Sequence, residues 1–180
     1  PIYHEPIHRT FGGIRAVYRS LVQTGQIEHF DFYILSDSRD PDVWLAEQAA
    51  WYRLCQDLGA GGRLFYRRRT LNQHYKSGNI SDFLRRWGRS YDYMIVLDAD
   101  SLMGGSTLVK MVQLMQAEPQ TGILQTSPTL INSHSMFARV QQFANQVYGP
   151  LFTTGLASLQ LGEEVFWGHN AIIRTRAFME

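Results

Sequence analysis

The stretch that decides the fold is Tyr91-Asp92-Tyr93-Met94-Ile95-Val96-Leu97-Asp98-Ala99-Asp100. Its short, continuous apolar run, residues 94–97, is typical of a strand that is buried on both faces of a parallel sheet. In open α/β sheets, ligands bind just beyond the carboxyl ends of such strands. The sequence therefore predicts that Asp98 and Asp100 lie at the binding edge of a sheet.

Two carboxylates at the end of a core strand are costly unless a cation balances their charge. Hard oxygen ligands suit Mg²⁺ or Mn²⁺, and such an ion can also bind a diphosphate. The spacing alone leaves a second interpretation open. In that interpretation, Asp98 and Asp100 only end the strand and cap the helix that follows Gly104-Gly105.

Strand-like and helix-like segments alternate on both sides of this stretch. The further segments predicted as strands are 30–35, 63–67 and 122–126, with a loop that enters a strand over 166–174. The segments whose apolar residues recur at helical spacing are 11–21, 43–58, 81–88, 108–115 and 135–161. Thr10 is the predicted N-cap of the first of these helices, and Asp40-Pro41 is the predicted start of the second. This alternation predicts an α/β fold whose sheet is mostly parallel and flanked by helices.

The composition is that of one ordinary globular domain. The chain has 180 residues, 44% apolar and 18% charged, and its net charge of +1 gives no global field for nucleic acid or an anionic membrane. The single cysteine, Cys55, excludes an internal disulfide and fits a reducing compartment. Both ends look cut, since Pro1 follows no Met and the chain stops inside an apparent helix. We therefore expect residues 1–180 to form a single, partial catalytic domain.

A basic run precedes the central strand. Residues 63–89 carry eight Lys and Arg side chains and one acidic residue, Asp82. Such a run is usually a solvated face, but this one contains Lys76-Ser77-Gly78-Asn79, a predicted turn that could direct Lys76 at a phosphate. RNA binding is an alternative, although no nucleic-acid motif accompanies the run, and we expect no nucleic-acid partner.

Six short motifs fall in one order along the chain. They are Pro1-Ile2-Tyr3-His4-Glu5, Ser36-Asp37-Ser38, Lys76-Ser77-Gly78-Asn79, Asp98-Ala99-Asp100, Gln125-Thr126-Ser127-Pro128 and Trp167-Gly168-His169-Asn170-Ala171. In this order the chain resembles the family 2 glycosyltransferases, the processive inverting enzymes that include cellulose and hyaluronan synthases. Residues 137–179 most resemble the bacterial members that make osmoregulated periplasmic glucans. The resemblance covers essentially the whole chain.

The resemblance implies a GT-A-like, Rossmann-related fold that uses UDP-glucose and a divalent cation, Mg²⁺ or Mn²⁺, to extend a β-glucan acceptor. It also implies a place at the cytosolic face of the bacterial inner membrane, with the membrane helices outside this segment. The implied roles are uridine binding for Glu5 and Asp37, contact with the nucleotide for Lys76, contact with the sugar diphosphate for Asp98, metal binding for Asp100, and shaping of the acceptor side for Gln125, Trp167, Gly168 and His169.

Two departures from the family pattern bear on these roles. His4 stands where members usually carry Asn, although Glu5 is in place. The catalytic base and the later Gln-x-x-Arg-Trp motif are expected beyond residue 180. Glu163 and Glu164 precede the Trp-Gly-His stretch, so neither is assigned as the base. The chain is therefore expected to hold the donor half of a site and not to turn over alone.

Several alternatives stay open from the sequence. Trp167 can pack in the core rather than stack on a sugar, and for His169 a structural role is favoured. A haloacid-dehalogenase-type phosphatase would use Asp98 as its nucleophile, although such enzymes usually have that strand near the N-terminus. A non-catalytic nucleotide-sugar-binding module is the third possibility.

Overall fold

The structure is a computed structural model that describes residues 1–129, 131, 135–160 and 166–179. Within these ranges the helices are α1 (Ile7–Val22), α2 (Pro41–Leu58), α3 (Tyr75–Trp87), α4 (Gly105–Ala117), α5 (Met136–Gln160) and α6 (Thr175–Met179). The strands are β1 (Phe32–Ser36), β2 (Leu64–Arg68), β3 (Tyr93–Val96), β4 (Ile123–Gln125) and β5 (Ala171–Arg174). Glu163 and Glu164 lie outside the described residues.

The first sheet pairs β1 with β2 in parallel, in a register that runs from Phe32 opposite Leu64 to Ser36 opposite Arg68. The helix α2 connects the two strands, as a parallel pair requires. Its start agrees with the sequence, because the Asp40 side chain accepts from the Asp42 N–H at 2.9 Å and Pro41 occupies the first turn. On the other edge of β1, Ile2 forms a parallel bridge with Ser36.

The second sheet has the order β3-β5-β4, with β5 antiparallel to both neighbours. It follows that β3 and β4 run in the same direction, and α4 connects them. The predicted α/β fold with flanking helices is confirmed, and a mainly parallel sheet describes β1 and β2. The antiparallel course of β5 was not predicted. It enters the sheet at the edge where β3 and β4 end, so it has to run back between them.

The helix α1 packs against both sheets. Its Phe11 and Tyr18 belong to a buried cluster with Ile34 of β1. Its Val17 and Leu21 belong to a second buried cluster with Ile172 of β5. Burial of each such side chain contributes about 1.5–3 kcal/mol. The predicted N-cap at Thr10 is wrong, because the helix begins after Pro6 and the N–H of Thr10 already donates to the carbonyl of Pro6 at 3.0 Å.

Between β1 and β3 lies a cavity of about 740 Å³. At one end of it a chain of side-chain hydrogen bonds joins Tyr33, Tyr91 and Asp31, at 2.8 Å and 2.7 Å. Asp98 lies among the residues that line the cavity. Because the cavity borders β3, only Val96 of that strand is fully buried, and the predicted burial of the whole run on both faces is wrong. No helix among the described residues has the length and apolar character to cross a bilayer.

Candidate functional site

Asp37 lies at the carboxyl end of β1, where the sequence predicts a ligand-binding residue. It is only 6% exposed, and its main-chain N–H donates to the carbonyl of Ile2 at 3.0 Å. Both carboxylate oxygens accept from Arg69, which donates through Nε and, at 2.9 Å, through Nη2. Two-point pairs of this kind fix direction as well as charge. Since an ionised carboxylate offers about four acceptor positions, Asp37 retains capacity for a ligand.

Arg69 also holds the segment that leads to Lys76. Its guanidinium donates to Asn72 Oδ1 at 3.0 Å, to the carbonyl of Gln73 at 2.9 Å and to the carbonyl of Tyr75 at 2.7 Å. This role of Arg69 is not predictable from the sequence, because nothing within a basic run distinguishes the arginine that pairs with Asp37. Arg69 thus connects the end of β1 to the start of α3.

Lys76 lies in the first turn of α3, and the prediction of a turn over residues 76–79 is wrong. The glycine that suggested a turn serves a close approach instead, since a Cβ at Gly78 would collide with the carbonyl oxygen of Gln73. The helix start is set by His74 and Tyr75, which have φ angles of 56° and 47°. In this position the Lys76 ammonium forms an ion pair with Asp98.

Asp98 and Asp100 follow β3, and the structure places both at the predicted edge. The side chain of Asp98 is 35% exposed and that of Asp100 is 63% exposed. Arg9 of α1 lies 3.8 Å from Asp100, at an exposed and therefore weak ion pair. The main-chain carbonyl of Asp98 accepts from the N–H of Ser101 at 3.0 Å, which turns the chain beyond the strand.

Charged residues that follow strands of the two sheets are linked through Arg69 and Lys76. Arg69 donates to Asp37 at 2.9 Å and to the carbonyl of Tyr75 at 2.7 Å. Lys76, the next residue, forms an ion pair with Asp98. The structure therefore brings together Asp37, Lys76 and Asp98, which come from three separate segments.

The first motif is tied to the end of β1. The His4 N–H donates to Ser38 Oγ at 3.1 Å, and Glu5 is exposed beside it. His4 has a φ angle of 53°, in the left-handed region that Asn, Asp and His enter more readily than most residues. His4 therefore meets a backbone requirement that Asn, the residue expected here from the family pattern, would also meet.

The residues predicted for the acceptor side form one cluster at the same edge. Gln125 Oε1 accepts from the N–H of Trp167 at 3.1 Å, and Gln125 Nε2 donates to the carbonyl of His169 at 3.4 Å. Gly168 lies between them with a φ angle of 87°. Trp167 is 48% exposed, so it does not pack in the core that the described residues form. His169 Nδ1 is buried and has no hydrogen-bond partner among the described residues.

The sheet register places this cluster beside Asp98. Val96 of β3 and Gln125 of β4 both lie opposite Ala171 of β5. Asn170, immediately before β5, donates its N–H to the carbonyl of Val96 at 2.7 Å and accepts from the N–H of Thr126 at 3.0 Å. Strands β3 and β4 therefore end at the same level, and the loop that carries Trp167 enters there.

The carboxylates fit a divalent cation only together with a ligand. The described part of the chain contains no group of three or more His, Cys, Asp or Glu side chains that could hold a metal ion. Mg²⁺, however, is usually bound by one or two carboxylates together with substrate phosphates. Asp98 and Asp100 offer such a pair, and the exposure of Asp100 leaves its oxygens accessible.

Comparison with known proteins agrees with this arrangement. The family model described as glycosyl transferase family 2 matches residues 1–180, so the chain belongs to that family. The resemblance inferred from the motifs is thereby confirmed, and the fold is GT-A-like.

Among its relatives the chain is 56% identical to the glucans biosynthesis glucosyltransferase H of Pectobacterium atrosepticum. It is 55% identical to that of Ralstonia nicotianae and 53% identical to that of Pseudomonas paraeruginosa. Each match covers 100% of this chain and 21% of the relative, so the chain spans about a fifth of these proteins.

Proposed function

We propose that the chain forms the donor and metal half of an inverting glucosyltransferase site, which takes glucose from UDP-glucose for a growing β-glucan. The observation that carries the proposal is the chain of contacts that connects Asp37 to Lys76 and Asp98 beyond the ends of β1 and β3. A nucleotide sugar needs groups that bind a nucleoside at one end and groups that compensate a diphosphate at the other. The proposed site has both.

The nucleoside end is assigned to Asp37 and Glu5. Their segments are joined through the hydrogen bond from His4 to Ser38. Arg69 holds the Asp37 carboxylate in one orientation, so that its remaining lone pairs face a fixed direction. A rigid acceptor of this kind favours a ligand that presents N–H or O–H groups, as the uracil ring and the ribose do.

The diphosphate end is assigned to Lys76, Asp98 and Asp100. The two carboxylates would hold Mg²⁺ or Mn²⁺, which when bound would stabilise the negative charge that develops on the leaving diphosphate. In the absence of the donor, the Lys76 ammonium forms an ion pair with Asp98. In the complex, its ammonium contributes a further positive charge beside the phosphates, where charge-assisted hydrogen bonds are strongest.

The acceptor side is assigned to the loop of Trp167, Gly168 and His169, with Gln125 as its anchor. The exposed indole of Trp167 offers an aromatic face of the kind on which a sugar ring packs. The general base is expected outside this chain, as is the membrane anchorage at the cytosolic face of the inner membrane. The proposal therefore includes that the chain binds its donor and does not transfer glucose alone.

Calorimetric titration with UDP-glucose, with and without Mn²⁺, tests the proposal. UDP-galactose and GDP-mannose serve as competitors for specificity, and circular dichroism checks that each variant is folded. We expect Mn²⁺-dependent binding of UDP-glucose that Asp100→Asn weakens at least about tenfold, which corresponds to about 1.4 kcal/mol. The matched control is Asp92→Asn, an exposed carboxylate at the other end of β3.

Two results would contradict the proposal. Binding of UDP-glucose that is equal with and without Mn²⁺, and equal in Asp100→Asn, would show that no metal takes part in donor binding. Binding of GDP-mannose as tight as that of UDP-glucose would show that the site does not recognise uridine. The phosphatase alternative would instead show hydrolysis of a simple aryl phosphate that is lost in Asp98→Asn.

A further inference from the structure

Glu47 of α2 is a buried carboxylate with three hydroxyl partners. It is 1% exposed. Its Oε2 accepts from Ser36 Oγ at 2.6 Å and from Tyr66 OH at 2.8 Å, and its Oε1 accepts from Ser38 Oγ at 2.6 Å. Burial of an ionised carboxylate is costly unless hydrogen bonds replace its hydration. Three donors at these distances provide that replacement, so the burial of the Glu47 carboxylate is compensated within the fold.

The direction of each hydrogen bond is fixed by the chemistry of the partners. A carboxylate only accepts, so each hydroxyl must donate to it. Burial raises the pKa of Tyr66, which keeps its hydroxyl protonated and able to donate. Ser36 and Ser38 thus have their protons committed to Glu47, and their oxygen lone pairs are available to accept.

Those lone pairs bind the backbone of the two segments assigned to the nucleoside. Ser36 Oγ accepts from the N–H of Ser38 at 3.2 Å, across Asp37. Ser38 Oγ accepts from the N–H of His4 at 3.1 Å, next to Glu5. The carboxylate therefore determines which way two hydroxyls point, and these hydroxyls determine the path of both segments.

We infer that Glu47 is a positioning residue for the nucleoside end of the donor site, through the hydroxyls of Ser36 and Ser38. This inference rests on the proposed function. Glu47 does not touch the donor in this account, since it lies below the loop that it orders. Its effect on the donor passes through Asp37 and Glu5, and not through Asp98 and Asp100, which follow a strand of the other sheet.

This inference is tested with two probes, one for each end of the donor. Uridine probes the nucleoside end, and pyrophosphate with Mn²⁺ probes the other end. In Glu47→Gln, an NH2 group replaces one of the two carboxylate oxygens. Because this group donates hydrogen bonds and cannot accept them, at least one hydroxyl loses its acceptor. We expect the Kd for uridine to rise about tenfold or more by calorimetry, and the Kd for pyrophosphate with Mn²⁺ to stay within about twofold.

Two further variants serve as the control and as an independent test. Asp57→Asn is the matched control, because Asp57 lies on the same helix and forms an exposed ion pair with Arg15 at 2.6 Å. It should leave both Kd values unchanged. Ser38→Ala removes the link to His4 while Glu47 keeps two donors, and it should weaken uridine binding in the same selective way. It serves as the test if Glu47→Gln does not fold.

The outcomes separate this inference from the proposed function. If the unaltered chain binds both probes and folded Glu47→Gln or Ser38→Ala binds uridine equally well, the positioning role is overturned. A parallel loss of both probes would show a general structural role and would also overturn it. If the unaltered chain binds neither probe, the proposed function fails, and the inference fails with it.

Discussion

Asp37 and Asp100 each follow the carboxyl end of a strand, yet their surroundings are opposite. Asp37 is 6% exposed and is held by two hydrogen bonds from Arg69, whereas the side chain of Asp100 is 63% exposed and has only Arg9 at 3.8 Å. The first arrangement fixes a shape before any ligand arrives. The second leaves carboxylate oxygens for a cation that comes with its ligand. Under the proposed function, the nucleoside end of the site is therefore preorganised, whereas the metal end is completed when the ligand binds.

The largest expected effect is on stability and comes from the buried ion pair of Arg69 and Asp37. Arg69→Ala would leave Asp37 buried without a cation, and removal of one partner of a buried ion pair costs about 3–5 kcal/mol. The side chains are 9% and 7% exposed, so solvent cannot compensate. Urea denaturation should show this loss in the free energy of unfolding. Adding Asp37→Asn to Arg69→Ala should restore part of it, and an unchanged midpoint in the single variant would contradict a preorganised end.

A smaller effect is expected at Lys76, measured as affinity rather than stability. Hydrogen bonds to charged groups contribute about 1.5–3 kcal/mol, so Lys76→Gln should weaken UDP binding about ten- to a hundredfold. Uridine binding should not change, because Lys76 pairs with Asp98 at the metal end. Lys110→Gln, at the exposed lysine of α4, is the control. Equal losses for uridine and UDP would show that the two ends are not separate.

The smallest effect is expected at the exposed pair of Arg9 and Asp100. Arg9→Ala should change the free energy of unfolding by less than about 1 kcal/mol, since exposed ion pairs contribute little. Any change should disappear in about 1 M salt, where charges are screened beyond about 3 Å. A loss as large as that of Arg69→Ala would contradict the difference between the exposed pair and the buried pair of Arg69 and Asp37.

Local patterns in the sequence were sufficient for the parts of the fold that depend on neighbours along the chain. The apolar run before Asp98 predicted β3, and Asp40-Pro41 predicted the start of α2. The same reasoning placed Asp37 and Asp98 at strand ends. It did not predict the antiparallel course of β5, because strand direction depends on which distant segment supplies the neighbour.

The pairings that build the site were harder to predict. Arg69 meets Asp37 across 32 positions, and nothing local distinguishes it within a basic run. Glu47 did carry a signal. It lies four residues after Val43 and three before Ala50, on the apolar side of α2, where a carboxylate needs partners. The predicted turn at Lys76 is wrong for a different reason. Gly78 suggests a turn, but its missing side chain allows α3 to lie close to the carbonyl oxygen of Gln73, which precedes the helix.

The most direct test of the central claim is a Mn²⁺ titration followed by electron paramagnetic resonance, which measures the free ion. It should be run with and without UDP, on the unaltered chain and on Asp100→Asn, with UDP alone as the reference. The account predicts that UDP and the chain together bind Mn²⁺ more tightly than UDP alone, and that Asp100→Asn removes this gain. Equal Mn²⁺ binding by the chain and the variant in the presence of UDP would contradict a metal site at Asp98 and Asp100.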